Sequence, residues 1–164
     1  MADIDTAIEI AARAHRGQQD RNGEPYILHP LRVMSRVETR NEQIVAMLHD
    51  VVEDSQTTLE DLRAAGFAEE IVRAVDALTR REGESYLDLV RKADGDSLAQ
   101  AVKLADLADH VDLDHVHFTD ENAEKDTQRI RRYVRASLFL NGRISEEEYL
   151  RGASEDEKAP KTSG

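Results

Sequence analysis

The sequence predicts an all-α fold, a bundle of helices. Apolar residues recur at helical spacing along most of the chain, and no stretch shows the sustained alternation of apolar and polar residues typical of a β-strand. Of 164 residues only three are proline and eight are glycine, while 40% are hydrophobic and 34% are charged. This is the composition of a folded, helix-rich protein.

The first helices are marked by apolar stripes and by helix-breaking residues. A stripe that begins at Ile4 ends before Gly17, where a polar loop starts. The loop leads to His29-Pro30, where proline suits the first turn of a second helix. A third helix is predicted from about Glu42 to Asp54.

The later helices are marked by capping residues. Thr57-Thr58-Leu59-Glu60 has the capping-box pattern, and Gly66 suits the end of that helix. Further helices are predicted over Ile71 to Leu78, from Ser85, from Ser97 to about His110, from Asp120 to Leu140, and as a last turn capped by Ser145. Residues 151–164 are polar and aperiodic, so the sequence predicts a domain over residues 1–150 and a disordered tail.

Charge and composition exclude several classes of function. A net charge of −12 repels polyanions, so long nucleic acid is not an expected partner. The longest apolar run, Ile44 to Leu48, is far shorter than the ~18 residues that cross a bilayer, so no membrane association is expected. With no cysteine and no export signal at its start, the chain is expected in the cytoplasm; its oligomeric state is left open.

The third predicted helix carries an unusual polar face. His49, Asp50, Glu53 and Asp54 share it, and no lysine or arginine lies among them. Carboxylates crowded within two turns raise one another's pKa unless a cation intervenes. A divalent metal ion is the simplest remedy, although a polar face that simply meets water is the common alternative.

Two other segments supply ligands of the same kinds. His29 stands at the start of the second helix, and Asp106 lies on the polar face of the Ser97 to His110 helix with Lys103, Asp109 and His110. An aspartate in such a helix is more often a surface residue than a ligand. Its pairing with the His49-Asp50 helix favours a metal site.

Four segments together resemble a known family. Ala14-His15-Arg16-Gly17-Gln18, Gly23 to Pro30, Leu48 to Asp54 and Val102 to Asp106 are similar, in order, to motifs of the HD-type hydrolase domain of RelA/SpoT proteins. Standing alone, that domain forms the small alarmone hydrolases, which remove the 3′-pyrophosphate from the stringent-response nucleotide (p)ppGpp using manganese. The resemblance implies an all-helical HD fold, and a chain of this length is not expected to include a synthetase.

The resemblance also implies roles for individual residues. His29, His49, Asp50 and Asp106 match the family's metal ligands, with Mn²⁺ or another divalent ion expected. Glu53 and Asp54 match the acidic pair of the hydrolytic step, Glu53 orienting or deprotonating water and Asp54 helping the proton reach the leaving 3′-oxygen. Lys103 is expected to hold the helix or a carboxylate rather than substrate.

Substrate contacts are less well matched. Arg21, beside Asn22, matches the basic loop position that meets guanine, and His110 stands where the family has a nucleotide-contacting asparagine. Asp20 replaces a basic residue, and Asp109 also departs from the family pattern. The leading expectation is therefore a small anionic guanine nucleotide, with another nucleotide or phosphoester, or a non-catalytic nucleotide-binding scaffold, as alternatives.

Overall fold

The computed structural model describes residues 1–114 and 122–158, with side chains described as far as residue 153. These residues contain helices and no strand, apart from an isolated bridge between Gln19 and Pro25, which agrees with the predicted all-α fold. The helices are α1 (Ile4–Ala14), α2 (Leu28–Ser35), α3 (Arg40–Leu48), α4 (Val51–Asp54), α5 (Leu59–Ala64), α6 (Glu69–Leu78), α7 (Tyr86–Asp94), α8 (Ser97–His110), α9 (Ala123–Leu140) and α10 (Glu146–Lys158).

The chain divides into two compact units, Met1–Asp109 and His110–Gly164. In the first unit α3 is central and packs against α1, α2 and α6. Residues Ile44 to Leu48 of α3 are all buried, which explains why five consecutive apolar residues occur there. A helix that is apolar on every side must be surrounded by other elements.

The second unit contains a pair of helices, α9 and α10, that pack against each other. Ala136, Leu140 and Tyr149 are buried there, and the rings of Phe139 and Tyr149 stack with centroids 4.8 Å apart. No helix among the described residues is both long and apolar enough to cross a membrane.

The helix boundaries confirm several predictions. Helix α8 has the predicted ends, α9 ends at Leu140 as predicted, and Ser85 caps α7 in a capping box with Asp88. Ser145 exchanges hydrogen bonds with Glu148 at the start of α10, as its position predicts.

Two boundary predictions are corrected. The capping box of α5 is formed by Thr58 and Asp61, one residue later than the Thr57 pattern predicts. Helix α10 extends through Lys158, past residue 151, where the sequence predicts that a tail begins. Residues 159–164 lie outside the described residues, as does the predicted start of α9 at Asp120.

The second correction concerns the helix predicted from Glu42 to Asp54. It is broken at His49 and Asp50, which join α3 to α4. The ring nitrogen Nδ1 of His49 lies 2.6 Å from the carbonyl oxygen of Ala46, in the last turn of α3. Carbonyls in the last turn of a helix lack helical partners, and here an imidazole supplies the donor. Sequence periodicity does not reveal such a side-chain contact.

Candidate metal centre

Four side chains from three parts of the first unit face one another; we call them the donor cluster: His29, His49, Asp50 and Asp106. Helix α2 supplies His29, the junction between α3 and α4 supplies His49 and Asp50, and α8 supplies Asp106. Three of the four, His29, His49 and Asp106, are buried. The structure thus brings together all four predicted metal ligands.

The distances within the donor cluster are short. Nε2 of His49 lies 3.0 Å from Oδ2 of Asp50 and 4.0 Å from Oδ1 of Asp106. Nε2 of His29 lies 3.3 Å from Oδ1 of Asp106 and 3.7 Å from Oδ2 of Asp50. Neighbouring donors around an octahedral ion with bonds of ~2.1 Å are about 3 Å apart. One ion could therefore be reached by these groups with small adjustments.

His49 provides the sharpest test of whether the residues fit a metal ion. Its Nδ1 donates to the Ala46 carbonyl, so in the neutral ring the lone pair is on Nε2. That Nε2 atom is buried and makes no hydrogen bond, although it lies beside Asp50. A buried nitrogen lone pair facing carboxylate oxygens is poorly satisfied by the protein alone. A divalent cation would satisfy it.

The negative charge of the carboxylates in and beside the donor cluster favours a positive charge among them. Burial disfavours a charged His29, but its hydrogen bonds with Asp106 and Asp109 prevail and raise its pKa to about 10. Burial lowers the pKa of His49, but the charge and contact of Asp50 and the charge of Asp106 together raise it. The pKa of Asp50 is lowered by the two histidines despite its own burial. In the metal-free chain, protons provide charge that an ion could replace.

Lys103 holds Asp106 in place. Its Nζ donates to Oδ2 of Asp106 at 2.8 Å and lies over the ring of Tyr86. Burial opposes the charge of Lys103, yet the negative charge of Asp106 prevails and raises its pKa, so it stays protonated. The prediction that Lys103 holds a carboxylate is confirmed. The other oxygen of Asp106 is the one that faces the histidines.

Two residues beside the donor cluster were not identified as site residues from the sequence. The hydroxyl of Tyr26 donates to Oδ2 of Asp50 at 2.6 Å, and Oδ2 of Asp109 lies 2.8 Å from Nδ1 of His29. Tyr26 occurs within the Gly23 to Pro30 motif, and Asp109 follows Asp106 by one helical turn. Both signals were available, but partners so far apart in the sequence become apparent only in the fold.

Glu53 and Asp54 lie on α4, directly after the Asp50 ligand position, and both are exposed. Oε2 of Glu53 accepts a hydrogen bond from the backbone N–H of Arg80. Desolvation and the negative charges of Asp50 and Glu53 raise the pKa of Asp54. Asp54 is therefore a better proton carrier near neutral pH than an isolated aspartate.

A hydrogen bond joins Asp54 to the loop before α2. Gln18 donates from Nε2 to the backbone carbonyl of Asp54 at 2.8 Å, and its Oε1 lies 2.8 Å from Nδ1 of His15. His15 is buried and its ring packs 4.9 Å from that of Tyr26. His15 thus supports the neighbouring segments and is not a member of the donor cluster.

Two of the predicted substrate residues, Arg21 and Asn22, are not among the residues that face one another in the donor cluster. Arg21 and Asn22 are exposed in the loop between α1 and α2. In that loop Oδ1 of Asp20 accepts from the backbone N–H groups of Asn22 and Glu24, while Gly23 adopts a φ of +79°. Asp20 therefore shapes the turn that carries Arg21. His110, the last residue of α8, is exposed and stacks on Tyr133, with ring centroids 5.1 Å apart.

Comparisons with known proteins agree with this arrangement. Residues 7–109 match the family model described as HD domain. The chain is 32% identical over 121 residues to a guanosine-3′,5′-bis(diphosphate) 3′-pyrophosphohydrolase of Aquifex aeolicus, a match that covers 66% of this chain and 17% of the relative. It is 33% identical over 116 residues to a GTP pyrophosphokinase of Streptomyces coelicolor, covering 63% of this chain and 14% of the relative.

A solved structure shares the fold. It is described as a metazoan ortholog of SpoT that hydrolyzes ppGpp, and it superposes with a TM-score of 0.67 over 93% of this chain and 96% of the other, at 23% sequence identity. The curated relatives above are much longer, since the matches cover only 17% and 14% of them. The family match includes the whole donor cluster and the acidic residues that follow it. The chain belongs to the HD domain family.

Proposed function

We propose that the chain is a divalent-metal-dependent phosphohydrolase that removes the 3′-pyrophosphate from guanosine tetra- or pentaphosphate. The observation that carries the proposal is the convergence of two imidazoles and two carboxylates, followed directly by Glu53 and Asp54. The named activity of the Aquifex aeolicus relative supports this substrate. We place the reaction in the cytoplasm, as the sequence predicts.

In this proposal the donor cluster holds one ion, Mn²⁺ in the first instance. Mixed nitrogen and oxygen donors suit a first-row divalent metal and leave coordination positions open. When bound, such an ion supplies Lewis acidity, which lowers the pKa of water and offsets phosphate charge. The protein's part is to keep His49 Nε2 and the carboxylate oxygens pointing inward through Ala46, Tyr26 and Lys103.

The proton transfers are assigned to α4. Glu53 orients the attacking water and accepts its proton, and Asp54, whose pKa is raised, passes a proton to the 3′-oxygen as the bond from that oxygen to phosphorus breaks. Water thus adds to the phosphorus that is bonded to the 3′-oxygen, that P–O bond breaks, and the products of guanosine tetraphosphate are GDP and pyrophosphate. Arg21 and Asn22, in the loop before α2, are assigned to the base, and His110 to the nucleotide.

The test is an assay of the purified chain with guanosine tetraphosphate and Mn²⁺, separating GDP and pyrophosphate by anion exchange. We expect both products in equal amounts, and we expect Asp50→Ala to abolish them. Asp76→Asn removes an exposed carboxylate that pairs with Arg81, and it serves as the control that keeps activity. Full activity in Asp50→Ala contradicts the proposal.

A second candidate is hydrolysis of another nucleotide or phosphoester. It is favoured by Asp20, whose carboxylate is engaged by its own turn and brings negative charge where the resemblance calls for a base. A panel of nucleotides, with phosphate and pyrophosphate measured separately, distinguishes the two enzymes. Tight nucleotide binding in Mn²⁺ without turnover of any member would instead favour the non-catalytic scaffold.

A further inference from the structure

We infer that Asp109 is a positioning residue of this centre: it holds His29 so that Nε2 faces the ion, and Arg32 in turn holds Asp109. The inference rests on the metal centre of the proposed function and adds to it residues that no part of that proposal uses. It starts from a buried carboxylate, since Asp109 is only 3% exposed.

Both ring nitrogens of His29 are contacted by side chains of the same helix, α8. Asp106 and Asp109, three residues apart on α8, lie on either side of the imidazole: Oδ1 of Asp106 is 3.3 Å from Nε2, and Oδ2 of Asp109 is 2.8 Å from Nδ1. An acceptor at hydrogen-bond distance from Nδ1 keeps a proton on that nitrogen. The lone pair needed by a metal is then confined to Nε2.

Asp109 is itself held by arginine. Nε of Arg32 donates to both carboxylate oxygens, at 2.9 and 3.1 Å, and Nη2 of Arg36 lies 3.6 Å from Oδ1. His29 and Arg32 lie three residues apart on α2, and Arg36, the C-cap of that helix, follows Arg32 by four, so the three side chains share one face. The guanidinium groups compensate a buried negative charge that would otherwise be costly.

This arrangement separates the roles of the two α8 carboxylates. Asp106 turns one oxygen to the donor cluster and the other to Lys103, whereas both oxygens of Asp109 are engaged by His29 and Arg32. Asp109 is thus a partner of a ligand rather than a ligand. Carboxylates that hold the outer nitrogen of a ligating histidine typically contribute 10- to 100-fold in metal affinity, by orienting the ring and raising its basicity.

The test measures Mn²⁺ binding to the full chain, from the free-ion signal in electron paramagnetic resonance, without substrate. We expect Asp109→Asn to raise the Kd for Mn²⁺ by about 10- to 100-fold. Ser85→Ala removes the cap of α7 and is the matched control for general destabilisation, with an unchanged Kd. Arg32→Gln, which leaves the Asp109 carboxylate in place, should raise the Kd by a smaller factor and provides a second variant if Asp109→Asn does not fold.

A spectroscopic readout separates positioning from a merely structural role. With Zn²⁺ as a diamagnetic probe, ¹⁵N spectra of the wild-type chain should show His29 with a protonated Nδ1 and a metal-bound Nε2. In Asp109→Asn the ¹⁵N signals of His29 should broaden or show a mixture of the two tautomers, whereas Ser85→Ala should give the wild-type signals. The inference is overturned if Asp109→Asn changes neither the Kd nor the His29 spectrum. If Asp109→Asn does not fold, the same result in Arg32→Gln overturns it.

The same titrations separate this inference from the proposed function. If the wild-type chain binds Mn²⁺, Asp50→Ala loses this binding and Asp109→Asn keeps the wild-type Kd, only the role of Asp109 is wrong. If the wild-type chain does not bind Mn²⁺ or Zn²⁺, the metal centre itself is wrong and the role of Asp109 falls with it.

Discussion

Each imidazole of the donor cluster has one nitrogen engaged by the protein and one turned toward the other ligands. Nδ1 of His29 meets Asp109 and Nδ1 of His49 meets the carbonyl of Ala46, so Nε2 is the inward nitrogen in both. Neutral histidine carries a hydrogen on only one nitrogen, so engaging Nδ1 as donor determines which nitrogen can bind a metal. The centre is therefore preorganised at the level of single hydrogen bonds.

Removing the hydroxyl of Tyr26 should weaken metal binding. The hydroxyl donates to Asp50 at 2.6 Å, and burial together with the charge of Asp50 raises the pKa of Tyr26, so the donor is not lost at ordinary alkaline pH. We expect Tyr26→Phe to raise the Kd for Mn²⁺ by about 10-fold or more. Isothermal titration checks this, with Tyr149→Phe in the second unit as the control. Equal affinities for both variants and the wild type would contradict it.

Metal binding should release protons. Because the pKa of His29 is raised to about 10 in the metal-free chain, its imidazole carries the extra proton at neutral pH. An ion that uses Nε2 must displace that proton, so the apparent affinity should increase as the pH rises toward this pKa and decrease as the pH falls. Calorimetry in two buffers of different ionisation enthalpy measures the release. A binding enthalpy independent of the buffer would rule it out.

At the scale of elements, caps and apolar stripes were predictable and the break between α3 and α4 was not. The segment from Ser97 to His110 is helical as predicted, because apolar residues at helical spacing are buried in the fold. The Glu42 to Asp54 segment is periodic as well, yet the ring of His49 takes the Ala46 carbonyl and the helix is interrupted. A contact of this kind depends on where the ring is held by the rest of the fold, which periodicity does not encode.

The corrected cap of α5 can be tested directly. The hydroxyl of Thr58 accepts from the N–H of Asp61, and the Asp61 carboxylate accepts from the N–H of Thr58. Thr58→Ala should therefore lower the free energy of unfolding by about 1 kcal/mol. Thr57→Ala is the matched control and should change it by much less. Urea denaturation measures both, and a larger loss for Thr57→Ala would restore the cap that the sequence pattern suggests.

At the scale of the molecule, the members of the donor cluster could be predicted and the residues that contact them could not. His29, His49, Asp50 and Asp106 stand in recognisable motifs, and the structure brings their side chains together. Tyr26 and Asp109 act through residues 24 and 80 positions away, and only packing of α2, α3 and α8 in the first unit creates those contacts. Sequence spacing constrains neighbours on one helix, but it does not determine which helices meet.

A bound ion should stabilise the whole first unit. Since its ligands come from three separated segments, the donor set is complete only in the folded chain. An ion that binds the folded state alone, at 100 times its Kd, adds about 2.7 kcal/mol to the free energy of unfolding. We expect Mn²⁺ to raise the unfolding midpoint of the wild-type chain, EDTA to reverse the change, and Asp50→Ala to show none. A midpoint insensitive to Mn²⁺ would contradict this.

The interruption after Leu48 links helix length to chemistry. The Ala46 carbonyl can accept a hydrogen bond from the His49 ring because α3 ends at Leu48, so this carbonyl has no helical N–H partner. Substitutions that merely strengthen α-helical continuity across this junction would compete for that oxygen and swing the imidazole away. Such a variant could have a higher unfolding temperature and a lower affinity for the ion, although all four residues of the donor cluster remain in the chain.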